Sequence, residues 1–385
     1  MLKVAVGHSN HPDSLLAIQD AIAQCQNTLA GMNPQAGLIF MAVDFDYSLV
    51  LQELQTAFPG IEVVGCSSNG ELSDHLGFQQ DSIALTLFCS DTLTIKAGVG
   101  RNVSKDAIAA AQEAIQQARC DAPPQLCLTV PESLTANGTE MLQALQTCLG
   151  QEFPIYGGLA AEEWQFQETH QFYHAEVLQD SLPILLFSGT SLKFSHGVCS
   201  GYQPLSAPGI VTKSDRNVLY EIDHQTALDF YRKYFGELNP SPNHPFAVFD
   251  EKSQHFYLRG FSGFDPVVGS ITAFADVPIG ASIQMATASR DDLLIAAKES
   301  MQEALQSYPG SRPEVAIVFS CACRHKLLWT RAKEESTLIQ SFLDSIDVPV
   351  ATCGFYTYGE LSPLKDQRET RLHQHTLVTL LLGTT

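Results

Sequence analysis

Charge is scarce in this sequence, and positive charge scarcer still. Asp, Glu, Lys and Arg make up 17% of the 385 residues, against about 25% in an average soluble domain. Only 22 basic side chains face 42 acidic ones, for a net charge of −20. A surface of that sign repels phosphate backbones and anionic lipid. The densest basic stretch, residues 324–333, runs straight into Glu334 and Glu335, so no nucleic acid is expected as a partner. No apolar run approaches the ~18 residues of a membrane span, and no membrane insertion is expected. The ten cysteines contain no Cys-x-x-Cys pair and no secreted-style spacing, and Met1 leads directly into a strand-like run without a signal-peptide pattern. Those absences point to reduced thiols and a cytoplasmic protein. The glycine-rich phosphate loops G-x-G-x-x-G and G-x-x-x-x-G-K-[ST] are missing, as is H-E-x-x-H, which disfavours a nucleotide enzyme or a zinc hydrolase.

What is present is enough apolar material for a large core: 45% hydrophobic residues with ordinary glycine and proline. At roughly 150 residues per domain the length suggests two or three domains. Periodicity divides most of the chain into one unit used three times. In the first copy, strand patterns at 3–7, 37–43, 61–66 and 82–89 alternate with helical patterns at 13–29 and 48–58. The second copy places strands at 93–99, 125–130, 155–157 and 183–188 around helices at 105–119 and 138–149. A third begins near 281–286, with helices at 291–307 and 334–346 and strands at 314–320, 348–354 and 375–382. The expected fold is α/β: repeated β-α-β-α-β-β units forming layered sheets flanked by helices. A strand-rich insertion interrupts them in the middle, at 191–275, with strands at 210–212, 218–222, 247–249 and 255–259 and one helix at 225–235. Aligning the loops after each third strand puts Gly65, Gly157 and Gly354 in register, and likewise Glu71, Glu163 and Glu360.

Those loops are where polar chemistry concentrates. Phe355-Tyr356-Thr357-Tyr358-Gly359-Glu360 offers hydroxyls, a carboxylate and, through Gly359, a tight turn with close backbone approach. Arg324 ends a buried strand and could hold a carboxylate bidentately; an internal ion pair with Glu334 or Glu335 is the competing use. Cys321 and Cys323 would share one strand face beside His325, a set short of the ligands and spacing of a zinc site. Cys66 stands at a strand-to-loop transition where a nucleophile could sit, but no nucleophile motif surrounds it. His373 and His375 enter the last strand on one face.

These runs resemble the FIST proteins, named for F-box and intracellular signal transduction. The matching segments are Val63-Val64-Gly65-Cys66-Ser67-Ser68-Asn69-Gly70-Glu71-Leu72, then Tyr156-Gly157-Gly158-Leu159-Ala160, then Tyr220-Glu221-Ile222-Asp223. Phe319-Ser320-Cys321 with Arg324 follows, and Cys353-Gly354-Phe355-Tyr356-Thr357-Tyr358-Gly359-Glu360-Leu361 is the most specific. The resemblance implies an N-terminal FIST domain over 1–190, holding two units. It implies a C-terminal one over 191–385, holding the strand-rich segment and the third unit.

The function implied is a non-enzymatic intracellular sensor. It would bind a small polar ligand, with amino acids one proposed class, and signal through a separate partner such as a histidine kinase or a diguanylate cyclase. Its ligand-binding residues would be Arg324, Tyr356, Tyr358, Gly359, Glu360 and Cys321, with no cofactor. Three alternatives stand beside it. One is a haem-binding nitric oxide sensor of the same family, with His373 or His375 as axial ligand. The others are a cysteine-dependent enzyme built on Cys66 and a protein-binding scaffold using the acidic surface.

Overall fold

The computed structural model describes residues 1–249, 255–346 and 350–385. Its first unit runs strand Leu2–Ser9, helix Ser14–Leu29, strand Ala36–Met41, helix Tyr47–Ala57 and strand Glu62–Ser67. A short hairpin, Glu71–Ser73 with Gly77–Gln79, precedes the closing strand Ile83–Ser90. The helix Ser14–Leu29 forms where Asp13 accepts from the Leu16 N–H as its cap, and it buries Ala17, Ile18, Ala21, Ile22, Cys25 and Leu29 along one face. The second unit repeats the order: Thr94–Arg101, Ala107–Ala118, Pro124–Thr129, Gly138–Leu149, Ile155–Gly158, the hairpin Gln171–Tyr173 with Glu176–Leu178, and Ser181–Ser188.

The third unit starts earlier than the sequence pattern suggests. Its first strand is Leu192–Cys199, paired antiparallel with the last strand Leu377–Thr384. The strand Ser282–Thr287 pairs instead with Phe246–Phe249 and Gly209–Asp215. It therefore belongs to the nine-stranded sheet of the insertion, which has its own core around Phe230, Tyr231, Phe246 and Ile283. Alternation makes both segments strands, but the sheet each joins is a long-range choice. The unit resumes with helix Arg290–Gln306, strand Val315–Cys321, helices Ala322–Leu328 and Ala332–Ser345, and strand Ala351–Thr357. The hairpin Glu360–Pro363 with Thr370–His373 completes it. Part of the expected strand at 348–354 lies outside the described residues.

Each unit builds a sheet in the order first, last, second and third strand, and each sheet is then extended by the hairpin of another unit. The hairpin of unit two pairs with unit one, Phe172 opposite Gly65. That of unit three pairs with unit two, Leu361 opposite Gly157, and that of unit one with unit three, Leu72 opposite Gly354. The exchange is cyclic, so the three units are locked to one another. At each of these glycines a Cβ would come within 2.0 Å of the partner strand's carbonyl oxygen: Ile39 at 1.9 Å, Thr129 at 1.8 Å and Val318 at 2.0 Å. Only hydrogen fits there.

The inner faces of the three sheets share one core. Phe40 of unit one stacks on Phe355 of unit three at 4.2 Å, and Phe88 meets Phe187 of unit two edge-on at 5.5 Å. Helices cover the outer faces. Among the described residues no helix is long and apolar enough to cross a membrane.

Candidate ligand cavity

The hairpin exchange brings three equivalent strand ends together, and each carries the same polar relay. The N–H of Ala42, Glu132 or Cys321 donates to the carbonyl of Ser82, Ser181 or Thr376, at 3.1, 3.0 and 3.0 Å. The hydroxyls of those three residues donate in turn to Glu71, Gln171 and Glu360. The residue equivalent to Glu71 and Glu360 is therefore Gln171, not Glu163. The second unit has a longer loop before its hairpin, and Glu163 falls on it at the surface beside Asp44 and Asp81.

The three relays are completed differently. In unit one Ser68 and Ser82 both donate to Glu71, and Ser82 also meets His8 Nε2 at 2.8 Å. Burial pushes the Glu71 carboxyl up to about 8 and the His8 imidazole down to about 4. In unit two the Glu132 carboxylate fills the centre, accepting from the N–H groups of Ser133 and Leu134, the Thr169 hydroxyl and the Gln171 amide. In unit three Cys321 stands where Glu132 would be. Glu360 Oε2 accepts from the Thr376 hydroxyl at 2.7 Å and the Thr376 N–H at 3.2 Å, while Oε1 has no partner among the described residues. Burial, and then the neighbouring Cys321 thiol, hold the Glu360 carboxyl well above the usual carboxylate range.

Beside this third strand end opens a cavity of 650 Å³. Unit three contributes Cys321, Cys323, Thr357, Tyr358 and Gln374. Unit two contributes the segment 133–138 with Leu159, Trp164 and Phe166, and the insertion contributes Arg216, Asn217 and Phe274. Its wall is aromatic: Phe166 stacks on Tyr358 at 5.6 Å, faces Phe274 at 6.5 Å and meets Trp164 edge-on at 5.7 Å. Trp164 and Phe166 hold φ values of 62° and 52°, a conformation that costs energy for bulky residues and persists only where neighbours enforce it. The neighbours are evident. Glu162 accepts from the Gln165 and Phe166 N–H groups, both at 2.7 Å. The Tyr358 hydroxyl donates to Glu162 and accepts from the Trp164 N–H. The Lys326 ammonium lies 4.7 Å from the Trp164 ring.

The expected site residues divide between cavity and core. Cys321 and Tyr358 line the cavity. Gly359 adjoins it through its carbonyl, which accepts from the Leu159 N–H. It is not in the left-handed region; a Cβ there would press on the terminal methyls of Leu372 and Leu159, at 2.9 and 3.2 Å. Glu360 lies one layer behind Cys321, fully buried. Arg324 and Tyr356 turn inward. The Arg324 guanidinium is fully buried, bonded to Glu335 and to the carbonyls of Ser200 and Leu293, and Tyr356 and Ser320 donate to the same Glu335. His373 gives Nε2 to the Ser362 carbonyl at 2.9 Å and borders a separate cleft of 240 Å³. His375 is buried edge-on against Tyr202, and burial pushes both histidines down to about 3. Sequence reasoning missed Trp164, Phe166, Phe274 and Arg216. One of only two tryptophans in the chain was the available signal.

Comparison with protein families matches the FIST N domain over residues 35–225 and the FIST C domain over 227–363. The chain belongs to the FIST family. FIST domains serve in sensing and signal transduction. An uncharacterised protein of Mycobacterium tuberculosis is 24% identical over 94% of this chain and 95% of its own length. One of Mycobacterium bovis is 22% identical with the same coverage, and one of Methanocaldococcus jannaschii is 32% identical over 35% of this chain and 27% of its own. Among solved structures, a cyanuric acid hydrolase from A. caulinodans aligns over both full chains at 9% identity with a TM-score of 0.39.

Proposed function

We propose that this FIST protein is a non-enzymatic sensor that holds a small organic ligand in the 650 Å³ cavity and signals through a separate protein, such as a histidine kinase or a diguanylate cyclase. The observation that carries the reading is the cavity itself. Its size is that of a metabolite site, its lining mixes aromatic rings with many polar side chains, and Trp164 and Phe166 of its wall are held in strained backbone. The ring faces of Phe166, Tyr358 and Phe274 suit an apolar or planar body, while Arg216, Asn137 and Asn217 suit a carboxylate or other polar end. An amino acid has both parts.

Burial pushes the Cys321 and Cys66 thiols well up, the opposite of an activated nucleophile, which supports binding over turnover. The cavity is walled by two units and the insertion, so a ligand touching all three would favour one arrangement of them, as a signal requires.

The test is a thermal-shift panel of the twenty amino acids, alongside a haemin titration followed by absorption. The expected result is stabilisation by one or a few amino acids that is lost in Tyr358→Ala and Phe166→Ala. A specific Soret band with no amino-acid response would overturn the reading in favour of haem.

A further inference from the structure

A second cleft, of 610 Å³, shares Arg216 with the ligand cavity and lies between the insertion, unit two and the segment 369–372 of unit three, where the Glu369 carboxylate is engaged by the Gln151 amide. Its inner wall holds Arg259, which is only 6% exposed. The guanidinium donates from Nε to the Asp276 carbonyl at 2.8 Å, and from Nη1 to the carbonyls of Leu258 and Leu372, both at 3.0 Å. All three acceptors are neutral. Among the described residues no carboxylate lies within 4 Å of it, and Nη2 donates to no group. The Asp276 carboxylate acts on it from farther away and accepts from Asn137. Arg371 adds a like charge: the two guanidinium carbons lie 4.3 and 5.6 Å from the same Tyr257 ring.

A buried cation without an anion is costly. The same chain shows the ordinary solution at Arg324, also buried, with Glu335 at 2.7 Å. With 42 acidic residues available, shortage of carboxylates does not explain Arg259. We infer that the cleft is an anion site, and that a small molecule bearing a carboxylate or phosphate group supplies the missing charge by bonding to the Nη2 edge of Arg259. The cleft volume suits a metabolite rather than a macromolecule, and a guanidinium edge matches either oxyanion. This site stands apart from the proposed sensory cavity, although Arg216, held to Glu140 at 3.2 Å, walls both.

The experiment is isothermal titration of the full chain, in a low-salt zwitterionic buffer, with inorganic phosphate and separately with succinate. At least one should bind at a single site. Arg259→Gln should weaken that binding by roughly tenfold or more. Gln143→Glu, which adds a negative charge at an exposed position on the cleft wall, should weaken it as well, whereas Tyr358→Ala should not. Binding of phosphate alone identifies a phosphate ester as the ligand class, and of succinate alone a carboxylate. If circular dichroism shows that Arg259→Gln does not fold, Gln143→Glu decides. Absence of binding by both probes, or unchanged binding in the folded variants, would overturn the proposal.

Discussion

Arg324 and Glu335 form an ion pair at 2.7 Å in which neither side chain exceeds 1% exposure. Ser320 and Tyr356 donate to the remaining carboxylate oxygen at 2.7 Å. The pair ties helix Ala322–Leu328 to helix Ala332–Ser345 across the chain reversal at Trp329, and the Leu293 carbonyl adds helix Arg290–Gln306. It is therefore a fastener behind the cavity wall.

Removing one partner should unfold more than it unbinds. Arg324→Ala leaves Glu335 buried without its cation and should cost about 3–5 kcal/mol, the range for breaking a buried pair. Urea denaturation of the variant should show a large fall in midpoint. A variant that kept its stability but lost all amino-acid thermal shift would place Arg324 in the ligand site instead.

The close approach at the exchanged hairpins predicts a sharp contrast between glycines. Gly354→Ala would put a methyl 2.0 Å from the Val318 carbonyl, backbone against backbone, in the middle of a sheet. Losses of about 4 kcal/mol or more, or no folded product, are expected. Gly263 lies in the edge strand Phe261–Asp265, where a Cβ meets nothing within 4 Å. Gly263→Ala should change stability by no more than about 0.5 kcal/mol. Equal effects at the two positions would show that the sheets can separate to admit a side chain.

Why the repeat was legible and its assembly was not is visible at particular residues. Ala17, Ile18, Ala21, Ile22 and Cys25 mark a helix face within one segment, and Gly65, Gly157 and Gly354 each mark the same steric demand. Both are local signals. The pairing of Phe172 with Gly65 joins residues of different units, and the hairpin strands, three or four residues long, are too short to show alternation. Glu163 took the place of Gln171 in the alignment because contiguous spacing cannot reveal a longer loop. Arg324 was expected in the ligand site, with an internal ion pair as the competing use; the structure shows that pair, and spacing could not choose between Glu334 and Glu335, since the φ of 51° at Trp329 breaks the helical phase between them. The cavity's second wall, Phe274 and Arg216, comes from the insertion, and nothing near those residues in sequence announces it.

The relay of unit one makes a prediction about pH. An ordinary glutamate ionises near 4.5, whereas burial keeps Glu71 protonated up to about 8. Between those values the folded chain holds a proton that the unfolded chain has released, so the Glu71 contribution to stability falls as pH rises through this window and levels off above it. The slope approaches roughly 1.4 kcal/mol per pH unit for a single group. His8, pushed down to about 4, acts on the other side: its contribution is lost as pH falls from 6.5 towards 4. Glu71→Gln should remove the Glu71 part alone, because Gln171 already makes the equivalent bond to Ser181 in unit two. Urea midpoints measured from pH 5 to 9 should therefore diverge, with the variant gaining on the wild type as pH rises and the gap constant above about 8. Parallel curves would mean that Glu71 is ionised in the folded protein, with the Ser68 and Ser82 hydroxyls outweighing the cost of its burial.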